Sequence, residues 1–186
     1  MKKILCVILA VVMMVSFTAC GKESPEKAAD NALKAVKTLN IKGMEKYFGE
    51  VSVEDMDLDD ISAEELKIAK KFFSKISWEI LGSVEDESTA TVTVEITAVD
   101  PSPIFTEVVA DMLGDSLSSL LGSDKDEEAI KKKALETIDK MISAKDVQMK
   151  TDTIELDMTL TEKGWKIDAK ASLIGSFAGS LEDLLG

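Results

Sequence analysis

Hydrophobic and polar positions change period several times along the chain, and each change marks an element. After Ser24-Pro25-Glu26, apolar residues recur at helical spacing (Ala28, Ala29, Ala32, Leu33, Val36, Leu39). Ser24 reads as the N-cap of this helix and Pro25 as its first residue, since proline has no N–H to leave unpaired there. The helix is predicted to end near Asn40. A short second helix over 42–48 should bury Met44, Tyr47 and Phe48, with Gly49 stopping it. Ser62 and Glu65 form a capping box for a third helix, with Leu66, Ala69, Phe72, Phe73 and Ile76 as its inner face. The period then falls to two. Trp78, Ile80 and Gly82 mark a strand over 77–84, and Ala90, Val92, Val94, Ile96 and Ala98 alternate with polar residues in the next. Asp100-Pro101-Ser102-Pro103 ends that strand.

An apolar, weakly charged helix is expected over 104–121, with Gly122 just beyond it. Ser123 or Asp124 should cap a further helix whose inner face is Ile130, Leu135, Ile138, Met141 and Ile142, with Lys131 to Lys133 as a solvated run. A final hairpin has Ile154, Leu156, Met158 and Leu160 on one arm. Trp165, Ile167, Ala169, Ala171 and Leu173 alternate on the other, after a Thr161-Glu162-Lys163-Gly164 turn. A short helix from about Ser176 closes the chain. Alternation with one wet face is the mark of an antiparallel sheet. The expected architecture is therefore α+β: N-terminal helices on an antiparallel sheet of about four strands, made of two hairpins with a helical insertion between them.

The beginning of the chain changes the picture. Lys2 and Lys3 precede an apolar run of 14 residues, Ile4 to Phe17, broken only by Ser16. That is the layout of a secretory signal and is shorter than the ~20 residues of a membrane-spanning helix. Small Thr18 and Ala19 are followed at once by Cys20. This segment resembles a bacterial lipoprotein lipobox, which implies diacylglycerol on the Cys20 thiol and cleavage before it. Phe17 stands where such motifs usually have Leu. The implied organisation is a signal peptide over 1–19, a lipidated tether over 20–24 and a single domain over 25–186.

Composition then narrows the chemistry. The chain has a net charge of −13; without Lys2 and Lys3, 20 lysines face 35 Asp plus Glu, a net of −15. Such a body repels phosphate backbones and anionic lipid headgroups, so no nucleic-acid partner is expected and membrane attachment should come from the acyl chains. There is no His and no Arg. Cys6 leaves with the signal and Cys20 would carry lipid, which removes disulfides and Cys/His metal sites from the mature chain. Asp55, Asp57 and Asp59 alternate like calcium-loop ligands. A calcium loop needs Gly and Glu where Asp60 and Leu66 stand, so this reads as a solvated connector and no metal is expected. Ser24-x-x-Lys27 lacks the companion motifs of penicillin-interacting enzymes and reads as a helix cap.

The order of helices and hairpins, with Glu162-Lys163-Gly164-Trp165-Lys166-Ile167-Asp168 in the last turn and strand, resembles a known group. It is similar to the nuclear-transport-factor-2-like (cystatin-like, SnoaL-like) domains of small Gram-positive lipoproteins of unknown function. The resemblance implies a cone in which a curved sheet wraps a helix and leaves a pocket at one end. Tyr47, Trp78 and Trp165 are its candidate lining residues, each with packing as the competing role.

Asp115-Ser116-Leu117-Ser118-Ser119-Leu120-Leu121-Gly122 is echoed by Gly179-Ser180-Leu181-Glu182-Asp183-Leu184-Leu185-Gly186. Leu117, Leu120 and Leu121 are therefore candidates for an apolar surface that meets the tail or a partner. The expected function is binding or scaffolding at the cell membrane, lipid-anchored on its extracytoplasmic face, without catalysis or cofactor. An envelope protein and a small apolar ligand are the candidate partners. The alternatives are an isomerase- or hydratase-like enzyme of the SnoaL-like kind, using a buried carboxylate, and an inhibitor- or immunity-type module.

Overall fold

The computed structural model describes residues 23–48, 61–120 and 127–168. Helix α1 (Pro25–Lys37) has Ser24 at its N-cap, where the hydroxyl accepts from the Lys27 N–H. It ends three residues before the expected Asn40. Leu39 takes the left-handed region with φ 48°, and Asn40 serves the next helix instead, its Oδ1 accepting from the Gly43 N–H at 3.2 Å. That helix, α2 (Ile41–Phe48), buries Tyr47, while Met44 and Phe48 lie half-buried against the core. It crosses α1 so closely that a Cβ on Gly43 would stand 2.8 Å from the Ala35 Cβ.

Helix α3 (Ala63–Ser74) carries the expected capping box, with Ser62 and Glu65 each bonding the other's backbone N–H. Its inner face is rotated from the expectation: Ile68 is buried and Leu66 exposed. Packing against a neighbouring helix, which periodicity cannot see, selects the stripe.

Strands β1 (Ser77–Asp86), β2 (Thr89–Val99), β3 (Met149–Thr161) and β4 (Gly164–Ile167) form one antiparallel sheet in the order β1-β2-β3-β4. The chain is α+β, as its pattern predicts. β1 departs from strict alternation. Ile80 pairs with Val94 and Gly82 with Thr93, so Leu81 is an extra residue in a bulge. Beyond it the faces exchange, as a one-residue offset requires. Ser83 turns toward α1, while Val84 is 75% exposed.

Helix α4 (Pro101–Leu120) starts three residues earlier than expected. Pro101 and Pro103 fit its first turn, where N–H groups have no intrahelical acceptor, and Asp100 accepts from the Ser102 N–H at 2.9 Å. Helix α5 (Glu127–Ser143) follows. Its lysine run is not merely solvated: Lys131 pairs with Glu65 of α3 at 3.0 Å and Lys133 with Asp111 of α4 at 3.3 Å.

Two cores result. The larger lies between α1 and one sheet face, where Ala28, Ala29, Ala32 and Leu33 meet Val92, Val94, Leu156, Met158, Trp165 and Ile167. The alanines let the helix backbone approach the sheet. The smaller core, around Ile68, Val99, Ile104 and Ile142, joins α3, α4 and α5 at one end of β2. Burial of each large aliphatic side chain contributes about 1.5–3 kcal/mol.

Candidate functional site

The most densely tied residue of the N-terminal stretch is Glu23, which the sequence reading placed in the tether. Its carboxylate accepts from Asn31 Nδ2 of α1 at 2.5 Å and from the Tyr47 hydroxyl of α2 at 3.2 and 3.3 Å. Its carbonyl oxygen accepts from the Trp165 indole N–H of β4 at 3.0 Å. Lys46 donates to the Tyr47 oxygen at 2.7 Å, stands 3.7 Å from the Glu23 carboxylate and lies over the Tyr47 ring. The hydrogen bond to Tyr47 raises the Lys46 pKa, against a smaller opposing effect of burial. Lys166 of β4 reaches the last turn of α2, donating to the Glu45 carbonyl at 3.0 Å and to the Lys46 carbonyl. These carbonyls lack intrahelical partners, so a cation there is favourable. Burial, and then the charges of Lys163 and Lys46, lower the pKa of Lys166.

A polar seam ties α1 to β1 along the opposite edge of the sheet. Ser83 donates to Glu26, the Trp78 indole donates to Asp30 at 3.1 Å, and Lys37 lies over the Trp78 ring. Burial pushes the Glu26 carboxyl up, but hydrogen bonds from Ser83, its own backbone and Ser24 together hold it below its ordinary value. Contacts run from Glu26 near one end of β1 to Asp30 near the other. Helix α1 therefore starts beside the two hairpin turns and runs toward the start of β1, packing on α3 as well as on the sheet.

This geometry places the predicted lining residues. Tyr47 is 5% and Trp165 3% exposed, and the two meet through Glu23. Trp78 is half-buried on β1, the far edge strand from β4, so the two tryptophans do not share a mouth. Leu117 and Leu120 lie in the last turns of α4. Cys20, Leu121, the Asp55, Asp57 and Asp59 connector, the Ser123 or Asp124 cap, Gly49, Gly122, 169–175 and the expected helix from Ser176 lie outside the described residues.

Two surface features stand at the α4–α5 end. Phe105 and Leu113 of α4 are 36% and 66% exposed, and Met112 is exposed beside them. A small pocket of about 180 Å³ opens where β2 enters α4 and α5 leads to β3. Pro103, Ile104, Met141 and Val147 wall it, with Asp100 and Asp146 beside them. It is smaller than the ~300–1,000 Å³ of ordinary ligand pockets. Every fully buried side chain among the described residues is apolar or aromatic. Among those residues no three His, Cys, Asp or Glu side chains are grouped to hold a metal ion. No described helix is long and apolar enough to cross a membrane. Sequence reasoning missed Glu23, Glu26 and Asp30. Two indoles and a tyrosine hydroxyl expected in the core each needed a polar partner, and that was the one available signal.

No protein-family model matches the chain, and no curated protein matches it. Among solved structures it is similar to a "putative lipoprotein (ycdA)" from Bacillus subtilis subsp. subtilis strain 168, with 16% sequence identity and a TM-score of 0.45. That similarity covers 87% of this chain, which spans 58% of the length of the other.

Proposed function

We propose that this chain is a lipoprotein anchored through Cys20 to the extracytoplasmic face of the cell membrane, and that its body binds or scaffolds another envelope protein. The N-terminal pattern supports the anchor. The exposed apolar side chains of Phe105 and Leu113 on α4 carry the binding reading. They lie at the end of the sheet away from Glu23, where an anchored body is open to partners. The nuclear-transport-factor-2-like kinship belongs to the same proposal, supported by a helix packed along one face of a four-stranded antiparallel sheet and a helical pair between its hairpins. The isomerase- or hydratase-like alternative calls for a buried carboxylate, and none stands among the fully buried described residues.

The anchor is tested by Cys20→Ala, which should leave uncleaved precursor without lipid label. Normal cleavage and unchanged membrane retention would reject it. For the body, a photo-crosslinker at Thr106, exposed on α4 on the side of Leu113, should give a discrete adduct in intact cells from the lipidated protein. The double variant Phe105→Asp, Leu113→Asp should abolish that adduct with little change in melting temperature. Adducts that persist unchanged in the variant would reject α4 as the binding face.

A further inference from the structure

Resting on the reading of Cys20 as the anchor, we propose that the Glu23 clasp fixes how the body stands on the bilayer, with the β3–β4 turn and the end of α2 against the lipid headgroups and the α4–α5 pair directed away. Only Gly21 and Lys22 separate Cys20 from Glu23. Three residue steps reach at most about 10 Å. A flexible tether would begin at the cysteine and end well inside the chain. Here it ends at Glu23, which is held by Asn31 of α1, Tyr47 of α2 and Trp165 of β4 at once. The anchor therefore joins three elements at one corner of the body, and that corner cannot leave the headgroup region.

The sheet sets what lies far from it. β3 runs 13 residues from Met149 beside the pocket to Thr161 beside Trp165. At ~3.3 Å per residue its two ends are about 40 Å apart. The turn between β1 and β2 lies at the same end as the β3–β4 turn, since Leu160 donates its N–H to the Ser88 carbonyl at 2.7 Å.

Charge selects between the two turns. The β1–β2 turn carries Glu85, Asp86 and Glu87, whereas Lys46, Lys163 and Lys166 gather around α2 and β4. In a chain of net charge −13, these three lysines stand at the anchored corner, with Glu23, Glu45 and Glu162 among them. The lysines lessen the repulsion between that corner and anionic phospholipid headgroups, whereas the wholly acidic β1–β2 turn is repelled outright. The partner surface is the bilayer itself.

The mature chain offers a clean test, because Cys20 carries the lipid and Cys6 leaves with the signal, so an introduced cysteine is the sole thiol. Lipidated protein with Glu162→Cys or Lys145→Cys, each labelled with a fluorophore, is bound to phosphatidylcholine–phosphatidylglycerol vesicles containing a lipid spin-labelled at its headgroup. Both sites are exposed, and Lys145 lies just after α5. The Glu162 label should be quenched several-fold more than the Lys145 label. A Gly/Ser spacer of about ten residues between Cys20 and Glu23, adding about 17 Å of r.m.s. reach, should bring the two towards equality. Equal quenching of bound protein with the native tether overturns the orientation and leaves the anchor standing. A difference that survives the spacer overturns the tether as its cause. Cys20→Ala protein that binds the vesicles as tightly as the lipidated form overturns the anchor, and the proposal with it.

Discussion

The indole N–H of Trp165 donates to the carbonyl oxygen of Glu23 at 3.0 Å, joining β4 to the residue before the first helix cap across 142 positions. The bond satisfies a buried donor and fixes the entry of the chain into the fold. Tyr47 completes the same clasp from α2 through the Glu23 carboxylate.

Tyr47→Phe removes the hydroxyl between Lys46 and Glu23 while keeping the buried ring. The expected loss is about 1 kcal/mol, the usual net worth of one hydrogen bond. A urea midpoint of the detergent-solubilised protein measures it. An unchanged midpoint would mean that the clasp adds nothing to stability.

Gly43→Ala places a methyl group 2.8 Å from the Ala35 Cβ where α1 and α2 cross, so one of the two helices must shift. A loss of about 1–3 kcal/mol is expected from this overpacking. The midpoint should recover in part with Ala35→Gly on the other helix, and failure of that rescue would place the strain elsewhere.

The bulge at Leu81 makes opposite predictions for two valines of one hairpin. Val84→Thr should stay within about 0.5 kcal/mol, because the side chain is 75% exposed. Val92→Thr buries a hydroxyl at a fully enclosed site and should cost about 1–3 kcal/mol. Comparable losses at the two positions would contradict the register shift.

Acid should weaken the fold through two glutamates. The Ser62 side chain, the Ser62 backbone N–H and Lys131 hold the Glu65 carboxyl at about 2, and Glu26 also lies below its ordinary value. A carboxylate depressed in the folded state contributes stability above its unfolded pKa of about 4.3, and loses it as pH falls through the folded value. Urea midpoints should therefore decline between about pH 4.5 and 2. The decline should be shallower in Glu65→Gln and in Ser83→Ala, the second removing the strongest hydrogen bond that depresses Glu26. An identical slope in both variants would assign the acid sensitivity to other groups.

Local signals carried most of the fold. The Ser24 and Ser62 caps, the alternation of β2 and β3, and the turn before Trp165 each depend on neighbours within a few residues, so composition and period determined them from the sequence alone. The α+β class follows, because alternating strands with one wet face must be covered by the helices that precede and separate them. The signal-like N-terminus and Cys20 are equally local, as is the excess of acid over lysine.

What only the tertiary structure decided depends on partners far apart in sequence. Leu66 and Ile68 both suit a helix, and contact with α5 and β2's end is what buries Ile68. Leu81 becomes a bulge because β1 must keep its register with β2 while turning Ser83 toward Glu26. Trp78 and Trp165 look alike as strand aromatics, yet they lie on opposite edge strands and answer to Asp30 and Glu23. Glu23 itself has no local signature as a clasp, since its partners on α1, α2 and β4 converge only when the sheet closes against α1.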